Sequence, residues 1–120
     1  MTRIKALETS EASPKAQELL AAVKAKIGMT PNMMKTMAHS AAVLDGYLGL
    51  SGALGSGVLS PKLREQIALA VGQANSCQYC LSAHSAIGKM VGLQPAEIAA
   101  SRRATASDSK SAAALRFVQE

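Results

Sequence analysis

The chain is poor in the side chains that build wide interiors. Among its 120 residues there is no Trp, one Phe and two Tyr. The core must therefore come from Ala, Leu, Val, Ile and Met, and its elements must approach closely. Small, alanine-rich helices meet that demand, and aromatic-rich sandwiches do not. Runs of alternating β-branched residues, the signature of a strand, are missing too. The formal net charge is +5, yet no run of Lys or Arg exceeds Arg102-Arg103. With neither a basic stripe nor stacking aromatics, a nucleic-acid partner is not expected, and the charge reads as a solvated basic surface. The opening Met1-Thr2-Arg3-Ile4-Lys5 is not followed by the apolar core of a signal peptide. The most apolar window, Ala41 to Leu59, contains Asp45 and several glycines, which argues against a membrane span. A cytoplasmic location is expected. In that compartment a close cysteine pair serves catalysis, redox sensing or metal binding more often than stapling.

The content that remains, 48% hydrophobic and 18% charged, is that of a globular protein, and the length predicts one domain over residues 1–120. Four prolines mark its architecture. Pro14 follows Ser13, Pro31 follows Thr30, Pro61 follows Ser60 and Pro95 follows Gln94. Proline favours the first helical position, where its missing N–H would be unpaired anyway, and Ser and Thr are good N-caps. Helical periodicity follows each one. The expected fold is all-α, a compact bundle of about six short helices.

The first helix is predicted from Pro14 to about Ile27, with Ala16, Leu19, Leu20, Val23 and Ile27 on its apolar face and Gly28 as its stop. A short one starts at Pro31, and its Met33, Met34 and Met37 read as adaptable core filling, with a pliable substrate pocket as the alternative. A third spans Ala41 to about Leu54. Its Gly46, Gly49 and Gly52, with Gly55 after them, cost helical stability, so close approach of a neighbouring helix is expected there, with a flexible gate as the alternative. The fourth runs from Lys62 to about Ala74 behind the Ser60-Pro61 cap. Leu63, Ile67, Ala70, Val71 and Ala74 share one face, and the later turns are apolar nearly all round, as in a buried helix. Glu65 is followed on its own row by Ala68, Leu69 and Gly72. A desolvated acid and a solvent-facing one remain equally open readings.

After the corner Asn75-Ser76, with Ser76 as the expected cap, comes Cys77-Gln78-Tyr79-Cys80-Leu81-Ser82-Ala83-His84. On a helix turning about 100° per residue, Cys77, Cys80 and His84 share one stripe, and the rise between the cysteines is about 4.5 Å. A disulfide can bridge that span. This helix should end at Gly92. Leu93-Gln94-Pro95 then opens a brief helix through Glu97 and Ile98, and Ser107-Asp108 caps a final amphipathic segment bearing Ala112, Leu115 and Phe117. The apolar face is still running at Glu120, so either further residues follow or another subunit completes the core.

A zinc site needs four ligands, and Cys77, Cys80 and His84 supply three, with His39 far off in sequence. Free cysteines packed as small hydrophobes are the blander alternative. A dithiol redox site accounts for more of the pattern. Cys77 stands where unpaired helix N–H groups favour a thiolate. His84, one turn beyond Cys80, can take its proton, and Glu65 can orient His84 directly or through a water. Attack on a peroxide would give a sulfenic acid, which the second cysteine would condense to a disulfide.

Glu65, eleven residues, then Cys77-x-x-Cys80-x-x-x-His84 resembles the alkylhydroperoxidase D-like branch of the carboxymuconolactone decarboxylase superfamily. Pro31-Asn32-Met33-Met34 and Ala38-His39-Ser40 before Leu44-Asp45-Gly46-Tyr47 are similar to members of that group as well. The resemblance implies an all-helical fold assembling as homo-trimers or hexamers, and reduction of hydroperoxides with no bound cofactor or metal. It implies Cys80 as the peroxidatic thiol, Cys77 as the resolving one, His84 as base and Glu65 in the proton relay. The helix dipole alone would favour Cys77 as the more acidic thiol. The implied reductant is an external dithiol of lipoyl type. Tyr79 occupies the place of a second histidine in the best-known members; its phenol can donate a hydrogen bond but is a poor base at neutral pH. Lactone decarboxylation is not expected, because that branch generally lacks the cysteine pair. A redox-sensing interaction protein and a zinc-stabilised module are the readings from other classes.

Overall fold

A computed structural model describes residues 2–120, and all regular structure among them is helical. Seven α-helices form: α1 (Pro14–Ile27), α2 (Asn32–Met37), α3 (Ala41–Gly55), α4 (Pro61–Ala74), α5 (Gln78–Met90), α6 (Pro95–Arg102) and α7 (Ser109–Phe117), after a single 3-10 turn at Thr9–Glu11. They pack as two compact units, residues 1–57 and 58–120.

In the first unit, Ser13 Oγ accepts the Ala16 N–H and Pro14 opens α1, while Gly28 closes it at φ +81°. That left-handed conformation suits glycine. Ala12, Ala16, Leu20, Ala38 and Leu44 form the core, and Met34 and Met37 pack against it, as adaptable core filling should. Three expectations fail here. Pro31 has extended backbone and is the cap of α2, not its first residue, so Thr30 does not cap it. Ile27 lies largely exposed, one position before the stop. The glycines of α3 also lack the close neighbour expected of them. A Cβ at Gly46, Gly49, Gly52 or Gly55 would meet nothing within 4 Å, and Leu44 alone of α3 is buried.

The second unit is organised around α4, which packs on α5, α6 and α7. Ser60 Oγ caps it through the Leu63 N–H. Leu69 meets Leu81, Leu93 and Ile98 in one cluster, and Ala70 meets Ala104 and Leu115 in another. The buried face is therefore rotated from the predicted one. Leu63 and Ala70 are buried as expected, but Leu69, Gly72 and the polar Gln66 are buried as well, while Ala74 is exposed. Phe117 is 79% exposed and takes no part in the core.

Two glycines in this unit stand at close contacts. A Cβ on Gly72 would lie 3.2 Å from Cys80 Cβ, and one on Gly88 would lie 3.1 Å from Leu93 Cδ1. The Leu93 tip can move aside, whereas Cys80 Cβ is fixed to the α5 backbone. Gly72→Ala should therefore lower stability by about 1–3 kcal/mol as α4 and α5 are forced apart, measured by urea unfolding. Helix propensity alone predicts the opposite sign, a gain of about 1 kcal/mol, and a gain would refute the close approach.

Candidate active site

The site grows out of the corner between α4 and α5. The last carbonyls of α4 are satisfied by a left-handed C-terminal motif, in which Ser76 N–H donates to Gln73 O at 3.1 Å and Cys77 N–H donates to Gly72 O at 2.9 Å. Such motifs place one residue in the left-handed region, usually glycine. Here it is Ser76, at φ +51°. That conformation removes Ser76 from the cap position expected for it. Cys77 is extended and takes that place itself, its Sγ accepting the Cys80 N–H at 3.2 Å.

Cys77 and Cys80 form a disulfide with their Cα atoms 5.3 Å apart. Cys77 thus stands just before α5, and Cys80 in its first turn. Both sulfurs meet the end of the helix where backbone N–H groups point outward and favour negative charge. One turn further on, His84 faces α4. Its Nδ1–H donates to Glu65 Oε2 at 2.7 Å, which answers the question Glu65 posed: its side chain is 15% exposed and paired directly, without a water. A histidine whose Nδ1 is so occupied keeps the lone pair on Nε2. Tyr79 also lies in the first turn of α5, 47% exposed.

His39, the other histidine, belongs to the first unit, where its Nε2 bonds the Lys5 carbonyl at 2.8 Å. Among the described residues no group of three or more His, Cys, Asp or Glu is arranged to hold a metal ion. No described helix is long and apolar enough to cross a membrane.

A cysteine pair at the start of α5, with a histidine on the same helix bonded to a carboxylate on α4, sits within a stretch that matches a known family: residues 41–120 fit the carboxymuconolactone decarboxylase family. The chain belongs to this family. Solved structures refine the assignment to its alkylhydroperoxidase D-like members. An uncharacterized peroxidase-related protein from a Silicibacter species superposes with a TM-score of 0.78 at 29% identity, covering 98% of this chain and 67% of the other. A second peroxidase-related protein, from Ralstonia eutropha and described as an alkylhydroperoxidase D core, gives 0.65 at 25% identity, covering 96% and 74%. Among curated proteins, none matches the chain.

The structure joins Cys77 to Cys80 and His84 to Glu65, two pairings that the sequence pattern had suggested. Sequence reasoning missed the parts that hold them, Gly72 as the point of contact and Ser76 as the left-handed hinge. The signal was present in Gly72-Gln73-Ala74-Asn75-Ser76, where a helix turns straight into the next with no glycine to supply the positive φ. In this family member Ser76→Gly should raise stability by about 1 kcal/mol, the order of the cost of a left-handed L-residue, in thermal or urea unfolding. Were Ser76 the cap of α5, losing its hydroxyl would lower stability instead.

Proposed function

We propose that this protein is a cysteine-dependent peroxidase that reduces hydroperoxides through Cys77 and Cys80 and is recycled by an external dithiol. The observation that carries the reading is the coincidence, on α5, of a bonded cysteine pair at its start and a histidine further along it bonded to Glu65 of α4. The peroxidase-related character of the solved relatives supports it.

In the reduced protein, His84 Nε2 takes the proton of Cys80, directly or through a water, while Glu65 holds the ring through Nδ1–H and stabilises the imidazolium. The Cys80 thiolate attacks the outer oxygen of the peroxide. An S–O bond forms, the O–O bond breaks, and the alkoxide leaves with the proton that His84 returns. Cys77 then attacks the Cys80 sulfenic acid, expelling water and forming the disulfide. A dithiol such as a lipoyl group completes the cycle. Its two thiols become a disulfide as Cys77 and Cys80 regain their protons, through a mixed intermediate. The 5.3 Å between Cα atoms permits the closing step without rearrangement of α5. Tyr79 supplies at most a hydrogen bond to this chemistry, since a phenol is a poor base at neutral pH.

The experiment is a thiol count and intact mass on reduced protein before and after a slight excess of a small hydroperoxide. Both thiols should be lost promptly, and restored by dihydrolipoamide with repeated turnover. Cys77→Ser should stop at a sulfenic acid on Cys80, trapped as an adduct, and Cys80→Ser should not react. Oxidation without recycling would instead describe a sensor, and survival of both thiols would end the redox reading altogether.

A further inference from the structure

A disulfide can be opened at either sulfur, and the choice decides which cysteine takes up the incoming group and which departs as a thiolate. Cys77 and Cys80 are both partly exposed, so burial does not decide between them. Their surroundings do.

Cys77 is the N-cap of α5, and its Sγ accepts the Cys80 N–H at 3.2 Å while the disulfide is intact. A negative charge arriving on that sulfur finds a backbone donor already in place, backed by the positive end of the helix. The more acidic thiol is the faster leaving group in disulfide exchange. Cys80 has a different neighbour. His84 follows it by four residues on the same helix, a spacing that makes side chains neighbours on the helix surface. The His84 Nδ1–H is committed to Glu65 at 2.7 Å, which leaves the Nε2 lone pair to accept a proton. A base on the Cys80 side serves the group that arrives, and a cap on the Cys77 side serves the group that leaves.

We propose, resting on the reading that an external dithiol recycles this site, that the reductant bonds to Cys80 and that Cys77 departs. Cys80 then takes up peroxide and reductant in turn. One thiol of the reductant gives its proton to His84 Nε2 as its sulfur attacks Cys80 Sγ. An S–S bond to Cys80 forms, the Cys77–Cys80 bond breaks, and the electron pair goes to Cys77 Sγ. The second thiol, its proton passing through solvent to Cys77, then attacks the reductant's own bonded sulfur. That closes the reductant's disulfide and releases Cys80, which takes the proton from His84. The same asymmetry orders the oxidation half. A thiolate held by the cap is more acidic and so less nucleophilic, which suits Cys77 to resolving and leaves the attack on peroxide to Cys80 with its base.

The test uses the full chain with its disulfide formed by diamide, so that no peroxidase activity is needed. The oxidised protein is mixed with 2-mercaptoethanol, quenched within seconds by excess N-ethylmaleimide, and mapped by tandem mass spectrometry. The mixed disulfide is expected on Cys80 with the maleimide on Cys77, in about tenfold or greater excess over the reverse arrangement. His84→Gln should slow the opening at neutral pH by about tenfold or more without moving the mixed disulfide to Cys77. Thiolate absorbance against pH gives a second measurement that does not need the intermediate to survive. Cys77 in Cys80→Ser should ionise at lower pH than Cys80 in Cys77→Ser. A mixed disulfide found equally or mainly on Cys77, or Cys80 as the more acidic thiol, would overturn the proposal. If hydroperoxide leaves the thiols untouched but the label still falls on Cys80, the peroxidase reading fails and the direction of opening stands.

Discussion

Cys80 and Gly72 meet where α4 and α5 pack, and a methyl group added at residue 72 would be tight there, its Cβ 3.2 Å from Cys80 Cβ. Much of the candidate site depends on that contact. With α5 held this close, His84 reaches across to Glu65 at 2.7 Å, and Cys77 falls at the cap position, where its sulfur accepts the Cys80 N–H. In an interior nearly without aromatics, close approach is how helices fill space, and the same rule that shapes the core also positions the reactive groups. The cluster of Leu69, Leu81, Leu93 and Ile98 lies behind this contact.

Much of this was legible in the residues. The Ser-Pro signals at Ser13-Pro14 and Ser60-Pro61 place the starts of α1 and α4, because a hydroxyl cap and a fixed φ are local properties that tertiary packing rarely overrides. The nearness of Cys77 to Cys80, with His84 on the same helix, was legible through spacing, whereas the position of Glu65 left a desolvated and a solvent-facing acid equally open. What was not legible depends on three-dimensional neighbours. Gln66 is buried in α4, which packs on α6 and α7 far along the chain, and no helical periodicity in α4 reports it. The glycines of α3 misled for the opposite reason. Their cost to the helix is plain in the sequence, and the described chain shows no neighbour that would offset it.

Ser76 illustrates a third kind of miss. A hydroxyl residue just before a helix reads as a cap, but the left-handed turn that ends α4 also requires a residue there, and both demands cannot be met at φ +51°. The end of α4 is satisfied at Ser76, and the cap passes to Cys77. A cysteine is a weak acceptor in that role, so the cap at Cys77 adds less to helix stability than a serine there would. The family match, residues 41–120, spans Glu65, Cys77, Cys80 and His84.

The most direct test of the account is a double-mutant cycle on the Glu65–His84 pair, read as the second-order rate at which a small hydroperoxide oxidises the reduced protein at neutral pH. If Glu65 acts only by holding and charging His84, then Glu65→Gln and His84→Gln will each slow the reaction, the latter by about a hundredfold as expected for general-base assistance. The double variant will then be no slower than His84→Gln alone. If the two effects multiply, Glu65 and His84 act independently, and the 2.7 Å hydrogen bond between them is not the relay on which the site depends.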